Sequence, residues 1–336
     1  MSEVQASVPP AIAALPRFRL FDGPSPLRRL PRFSAVLGGG ADVWIKREDL
    51  LPLAFGGNKL RNLEFLVGAA LADGTDVLVT SGRRWSNHCR LTAAAGAAAG
   101  LPVHLVLTGP PVSPPGANER LDRMLGAIVH FAATDARADR EALVDDVEAT
   151  LRAEGRRPYV VSVGGSGAIG AAGQVLGGLE LVAQARALGM EPRAVVLPSA
   201  TGGTQAGVLV GLRLGGFASR VVGIAVAKPP TELVPIIAQL LKDLIPLAGL
   251  GVDEAEIDLD GAFLGPSYGV PTPAAAEAAE LLARTEGILV DPIYTAKALA
   301  GLVAGVRSGE LTGSIVFWHA GGTPGLFEMP PFDTAR

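Results

Sequence analysis

A chain of 336 residues with 49% hydrophobic residues can fill more than one core, and its length fits two domains of ordinary size. A net charge of −4 argues against nucleic acid or an anionic membrane as partner, because both select basic surfaces. The one cysteine, Cys89, excludes a disulfide framework within the chain, and the opening MSEVQASVPPAIAALP has no basic segment before its apolar residues, so a cytoplasmic protein is expected.

In chain order, a Pro-rich N-terminal stretch is expected to wrap the surface before the first strand. Strands are then expected at 43–46, 77–80, 103–108, 127–131, 159–163, 194–197, 221–226 and 314–318. Helices are expected at 60–72, 90–100, 139–154, 174–188, 207–214, 231–241, 273–285 and 296–306. The longest stretch without Asp, Glu, Lys or Arg, 91–118, is cut by Gly100, Pro102, Pro110 and Pro111. It reads as a buried helix and a buried strand, not a membrane span. The acidic, irregular segment 247–266 reads as a surface excursion. Strands that are apolar along their whole length and alternate with helices predict an α/β fold of doubly wound, mostly parallel sheets.

Five segments carry candidate chemistry. In AFGGNKLRNLEFL, Gly56 and Gly57 permit a sharp turn, and Lys59 follows at the first turn of a helix. The positive end of the helix there favours the neutral, nucleophilic amine that Schiff-base formation needs. In SGRRWSNHCR, a strand-to-helix turn of Ser86, Asn87 and His88 offers backbone N–H groups to a carboxylate. In LPSATGGTQAGVLVG, the N–H groups of Gly202, Gly203 and Thr204, with the hydroxyls of Thr201 and Thr204, suit one phosphate monoester, and the Gly-Lys-Ser/Thr ending of a triphosphate loop is missing. Tyr294 and Thr295 in DPIYTAKALAGL precede a helix, and His319 in FWHAGGTPG ends a β-run at a glycine turn. Taken singly, each segment also reads as an ordinary cap, turn or core position.

Gly165, Gly167 and Gly170 match G-x-G-x-x-G, yet no acidic residue ends the following strand AVVL, so a dinucleotide site is not expected. The four histidines show no metal spacing with Cys89, and there is no G-x-S-x-G elbow.

Together, IKREDLLPLAFGGNKLRNLEFL, SNHCR, TGGTQAG, DPIYTAKALAGL and HAGG resemble, in order, the family of D-cysteine desulfhydrase and 1-aminocyclopropane-1-carboxylate (ACC) deaminase. These are pyridoxal 5'-phosphate (PLP) enzymes of the tryptophan-synthase-β type, PLP fold type II. The resemblance runs from about Trp44 to Phe327, and VGGSGAIGAAG also looks like a family loop.

The resemblance implies that Lys59 carries the cofactor, Asn87 bonds its phenolic oxygen, Thr201, Gly202, Gly203 and Thr204 hold its phosphate, and Thr295 faces its pyridine nitrogen. It implies catalytic roles for Lys59, Ser86, Tyr268 and Tyr294, and a substrate carboxylate held by Ser86, Asn87 and His88. It further implies a larger PLP-binding domain of residues 1–54 and 164–336, a smaller domain of 55–163, an active site between them, and a homodimer.

The expected reaction is α,β-elimination on a small amino acid, D-cysteine desulfhydrase-like, giving pyruvate, ammonia and a sulfur leaving group. Alternatives are ACC deamination, L-cysteate sulfo-lyase activity, a β-replacement synthase, and a non-catalytic amino-acid- or PLP-binding protein. Thr295 stands where ACC deaminases resemble one another in carrying Glu, which favours elimination, whereas Ala320 matches neither branch. Arg83, Arg84 and Trp85 depart from the family's small, apolar or Gln residues before Ser86, Asn62 stands where a basic residue is usual near the phosphate, and Gly167 where a polar side chain is usual. Arg83 and Trp85 are therefore added as substrate contacts, and the two arginines suggest a substrate with an acidic side chain.

Overall fold

The computed structural model describes residues 8–109, 111, 113–250, 252, 253 and 256–328. In chain order the elements are helix α1 (Pro10–Ala13), strand β1 (Leu27–Arg29), α2 (Pro31–Leu37), β2 (Ala41–Arg47), α3 (Lys59–Ala72), β3 (Val77–Gly82), α4 (Asn87–Ala99) and β4 (Val103–Leu107). They continue with α5 (Ala117–Met124), β5 (Ile128–Phe131), α6 (Arg137–Ala153), β6 (Pro158–Val161), α7 (Ala168–Ala187), β7 (Ala194–Ser199) and α8 (Gly203–Leu214). Last come β8 (Arg220–Ala225), α9 (Pro230–Ala248), β9 (Asp258–Asp260), α10 (Pro273–Glu286), α11 (Thr295–Ser308) and β10 (Gly313–His319).

The strands form two sheets, ordered β1-β2-β10-β7-β8-β9 and β5-β4-β3-β6. Among the described residues, only the β1–β2 pair is antiparallel. Alternate residues of one strand enter different cores: Val195 and Leu197 of β7 pack under α7, α8 and α9, while Ala194 and Val196 pack against α10 and α11. In β3, Leu78 faces the α3 and α4 side, whereas Val77 and Val79 face α6. Both sheets are thus covered on both faces, which is why their strands lack the polar alternation of a half-exposed sheet.

All eight expected strands and all eight expected helices are present. The differences lie in short or polar elements. Segment 247–266 is not wholly irregular, because β9 lies within it and adds a parallel edge to β8. Helices α1, α2 and α5 and strand β1 are additional. The N-terminal stretch does run over the helices, but it is partly buried: Ile12 enters the core of the larger sheet, Phe21 that of the smaller, and Phe18 N–H donates to the Glu64 carbonyl of α3 at 2.8 Å. Among the described residues, no helix is long and apolar enough to cross a membrane.

Close packing of α3, α7 and α8 sets the backbone beneath the cleft described below. A Cβ at Gly173 of α7 would lie 2.0 Å from the Arg61 carbonyl oxygen of α3, and one at Gly211 of α8 would lie 2.4 Å from the Val175 carbonyl oxygen of α7. Replacing Gly173 by Val would therefore push α7 off α3. Overpacking of this kind costs about 1–3 kcal/mol, so chemical denaturation of Gly173→Val should show at least that loss; an unchanged midpoint would contradict the packing.

Candidate active site

One cleft of about 480 Å³ opens where both sheets end. Its walls include Gly82 from the end of β3, Ser199 from the end of β7, and Ala320 and Gly321 just beyond β10. These are the carboxyl ends of parallel strands, where ligands of open α/β sheets bind. Helices α3, α4, α8 and α11 begin here too, marked by Lys59, Asn87, Gly202 with Thr204, and Thr295. Several helix N-termini converging on one space make it receptive to anions.

Lys59 is the first residue of α3. Gly56, with φ +63°, turns the chain into that helix, and a side chain there would collide with the carbonyl oxygens of Asp49 and Leu51. Among the described residues nothing bonds to the Lys59 amine, and burial lowers its pKa to about 8. Asn58, just before it, donates to the Thr204 hydroxyl at 2.8 Å and so joins the starts of α3 and α8.

Facing it is the α4 turn. Ser86 caps α4 by accepting the Cys89 N–H at 3.2 Å. Asn87 Oδ1 accepts from Arg90 Nη1 at 2.7 Å, which leaves its amide N–H groups for the cleft. His88 Nε2 pairs with the Thr80 hydroxyl at 2.9 Å. Burial, helped by the nearby Lys59, lowers the His88 pKa to about 3, so its ring is neutral.

The third wall holds the tyrosines. The Tyr268 and Tyr294 hydroxyls are hydrogen-bonded to each other, and their rings meet edge-on at 6.0 Å. Burial raises the pKa of both, so both keep their protons at neutral pH. The Thr295 hydroxyl donates to Asp291 Oδ1 at 2.5 Å and accepts the Asp291 N–H at 2.9 Å. Asp291 also accepts the N–H groups of Ile293, Tyr294 and Thr295 at 2.8–3.0 Å.

Lys59, Ser86, Asn87, His88, Arg83, Thr201, Gly202, Thr204, Tyr268, Tyr294 and Thr295 all border the cleft. Two expected residues do not. The Gly203 N–H donates to the hydroxyl of Ser166 at 3.1 Å, and it is Ser166 that borders the cleft. Trp85 packs behind Tyr268, with ring centroids 6.2 Å apart, and a Cβ on Gly269 would lie 2.7 Å from its indole. An indole is better covered by that loop than held in an open cleft.

Asn62 is also turned away. It is fully buried, donates to the Gly165 carbonyl at 2.9 Å, and accepts from Gln174 at a short distance of 2.5 Å. Gly165 and Gly170 belong to this helix packing: a Cβ at Gly170 would lie 2.1 Å from the Gly165 carbonyl oxygen. Residues missed in the sequence are Asn58, Ser166, Ser199, Asp291 and Arg140. Asn58 and Asp291 stand inside recognisable motifs, but Arg140 lies on α6 with no local signal of a site.

These residues fit a pyridoxal phosphate. There is an unpartnered amine at Lys59, a phosphate-sized set of donors at Thr201, Gly202 and Thr204, and a buried Ser199 hydroxyl without a partner among the described residues. A Cβ at Gly164 would stand 2.8 Å from Thr201 Oγ1 and 3.5 Å from Lys59 Nζ, so glycine keeps the space between amine and phosphate loop open.

The comparisons agree. The profile of the family described as "Pyridoxal-phosphate dependent enzyme" matches residues 18–321, and the chain belongs to that family. Its fold and cofactor are those of a PLP-dependent enzyme. A crystal structure of an ACC deaminase homologue has 34% identity to it, covers 97% of each chain, and superposes with a TM-score of 0.89. An O-ureido-L-serine synthase (17% identity, 97% of this chain and 95% of that one, TM-score 0.68) and a threonine deaminase from T.th. (22%, 89% and 92%, 0.65) share the fold.

The depressed Lys59 pKa makes apoprotein stability depend on pH. Between about 8 and 10.5 the unfolded lysine holds a proton that the folded one has lost. The unfolded state then binds more protons, so stability rises with pH across that window. Denaturation of the apoprotein should show this rise, and Lys59→Met should flatten it; equal slopes would contradict the lowered lysine pKa.

Proposed function

We propose that the protein is a PLP-dependent lyase that carries out α,β-elimination on a small amino acid, in the manner of a D-cysteine desulfhydrase. The observation that carries the reading is the desolvated Lys59 amine, without a partner among the described residues, opposite the Ser86–Asn87–His88 turn, with a neutral threonine at the head of α11.

The N–H groups at the start of α4 hold the substrate carboxylate, and Ser86 and Asn87 orient it. Thr201, Gly202 and Thr204 would hold the cofactor phosphate. Asn87 would offer its free amide N–H to the cofactor's phenolic oxygen, and Thr295 would serve the pyridine nitrogen. Bound pyridoxal phosphate supplies the electron sink for negative charge at the α-carbon. Lys59 takes the α-proton as general base, which its lowered pKa permits near neutrality. The protonated Tyr268–Tyr294 pair stands ready to pass a proton to the departing group.

The second reading, ring-opening deamination, is favoured by the 34% identity to an ACC deaminase homologue. Against it, Thr295 carries no charge and its proton is engaged by Asp291. Residues 55–163 are taken as the smaller domain, residues 1–54 and 164–336 as the larger, and the assembly as a cytoplasmic homodimer.

Borohydride reduction followed by peptide mapping should place the cofactor on Lys59. D-Cysteine should give pyruvate and sulfide, and Lys59→Ala should lower kcat/KM by about 10²- to 10⁴-fold or more. 2-Oxobutyrate from ACC would decide for the second reading, and an adduct on another residue would sink both.

A further inference from the structure

Given the amino-acid chemistry proposed above, we infer that Arg140, with Arg83, forms a subsite for an anionic group on the substrate's side chain. Helix α6 begins at the cleft, and Arg137 and Arg140 both sit at its start and line the opening. A helix start is already positive, so acids stabilise it and bases do not. Its cap residue, Ala136, offers no side-chain acceptor, and the one acid of its first turn, Asp139, accepts from the Thr134 hydroxyl at 2.5 Å. Two arginines against one acid still oppose the local electrostatics of the helix, the kind of conflict expected where a ligand is bound.

The acids nearby are already engaged. Arg83 Nη1 lies 2.7 Å from Asp135 Oδ1, and Arg137 Nε lies 2.6 Å from Glu141 Oε1. Both carboxylates are more than half exposed, at 68% and 51%, so neither shields the cleft strongly. Lys228, across the cleft, pairs with Glu232 at 3.7 Å. Arg140 has no ion pair among the described residues. Its Nε is shut off from solvent and lacks an acceptor, which is unfavourable for so strong a donor. Arg83 and Arg137 both act on it electrostatically, as does Glu141.

Arg83 reaches the same space from the α4 side, and its guanidinium stands 5.9 Å from the Tyr268 ring centroid. It thus lies over the ring of Tyr268, one of the two tyrosines proposed to serve the leaving group. The planar guanidinium suits two oxygens of a carboxylate, phosphate or sulfonate. The subsite differs from the α-carboxylate turn, which uses uncharged N–H groups at the start of α4.

When the anion is a sulfonate on the β-carbon, it is also the leaving group. Lys59 takes the α-proton, and the C–S bond breaks with its electron pair leaving on sulfur as sulfite. The unsaturated amine that remains takes up water and becomes pyruvate and ammonium. Cysteate anion and water thus yield pyruvate, ammonium and bisulfite, and the guanidinium groups stabilise the charge that grows on the departing oxyanion.

The test uses the holoenzyme and both enantiomers of cysteate and of cysteine. Binding is read from the cofactor's visible absorbance, and turnover from pyruvate. The wild type should bind one cysteate enantiomer at least about tenfold more tightly than the matching cysteine. Arg140→Met should reduce that ratio by about 10- to 100-fold, and Arg140→Lys should restore part of it. If Arg140→Met fails to fold by thermal melting, Arg140→Lys and Arg83→Met carry the same comparison. Tighter binding of cysteine than of either cysteate, a ratio unmoved by the variants, or no spectral response to cysteate would overturn the subsite. Tight, Arg140-dependent cysteate binding without pyruvate would support the subsite while removing the elimination chemistry.

Discussion

Lys59 must be held at the edge of the cleft with little water and no acidic partner to keep a nucleophilic amine, and the surrounding structure serves that constraint. Two residues further on, Arg61 is buried between Glu48, at 2.6 Å, and Glu180, at 2.9 Å. Ser25 and Lys46 complete this network through Glu48 and Glu180. Such a network is weak evidence for stability, because desolvation offsets much of the attraction. What it does provide is position: breaking one partner leaves a charge stranded in the core, so α3 has one favourable placement against β2 and α7.

The same logic extends to the cofactor loop. Helix α7 touches both α3 and α8 through glycines, which bring the backbones carrying Lys59 and Thr201–Thr204 close together without intervening side chains. Asn58, bonded to Thr204, then fixes one helix start against the other. The G-x-G-x-x-G run is explained in part by this packing. Gly165 and Gly170 let helices and the 163–165 turn approach one another, so these two positions serve contact, whereas a Cβ on Gly167 would meet open space.

Polarity within the cleft is divided among its walls. The floor is made of uncharged donors: backbone N–H groups, Asn87 and a neutral His88. Among the described residues, charge gathers on the remaining walls, where Arg83, Arg137, Arg140 and Lys228 outnumber Asp135 and Glu141. A floor of neutral donors can hold a carboxylate and a phosphate without locking the lysine in an ion pair, which would raise its pKa and quench its reactivity. Asp291 lies behind Thr295 and is covered by four donors, so its charge reaches the cleft only through a hydroxyl.

The long apolar runs and the glycine-punctuated loops were sufficient, by sequence alone, to determine the α/β class, its eight principal strands and the order of the motifs. This works because burial on both sheet faces demands continuous apolar strands, whatever the details of packing. The short elements were not legible. Strand β9 reads Asp258-Leu259-Asp260 and is held by backbone pairing at an edge, while α5, ANERLDRM, is polar in sequence yet buries Asn118, Glu119 and Asp122. Within the site, Lys59, the Ser86 turn and the tyrosines stood in recognisable segments. Only the tertiary structure decided that Trp85 and Gly203 do not border the cleft, that Ser166 does, and that Arg140 joins Arg83 across 57 positions of sequence. Side-chain direction and pairing depend on which elements meet in space, and no local pattern records that.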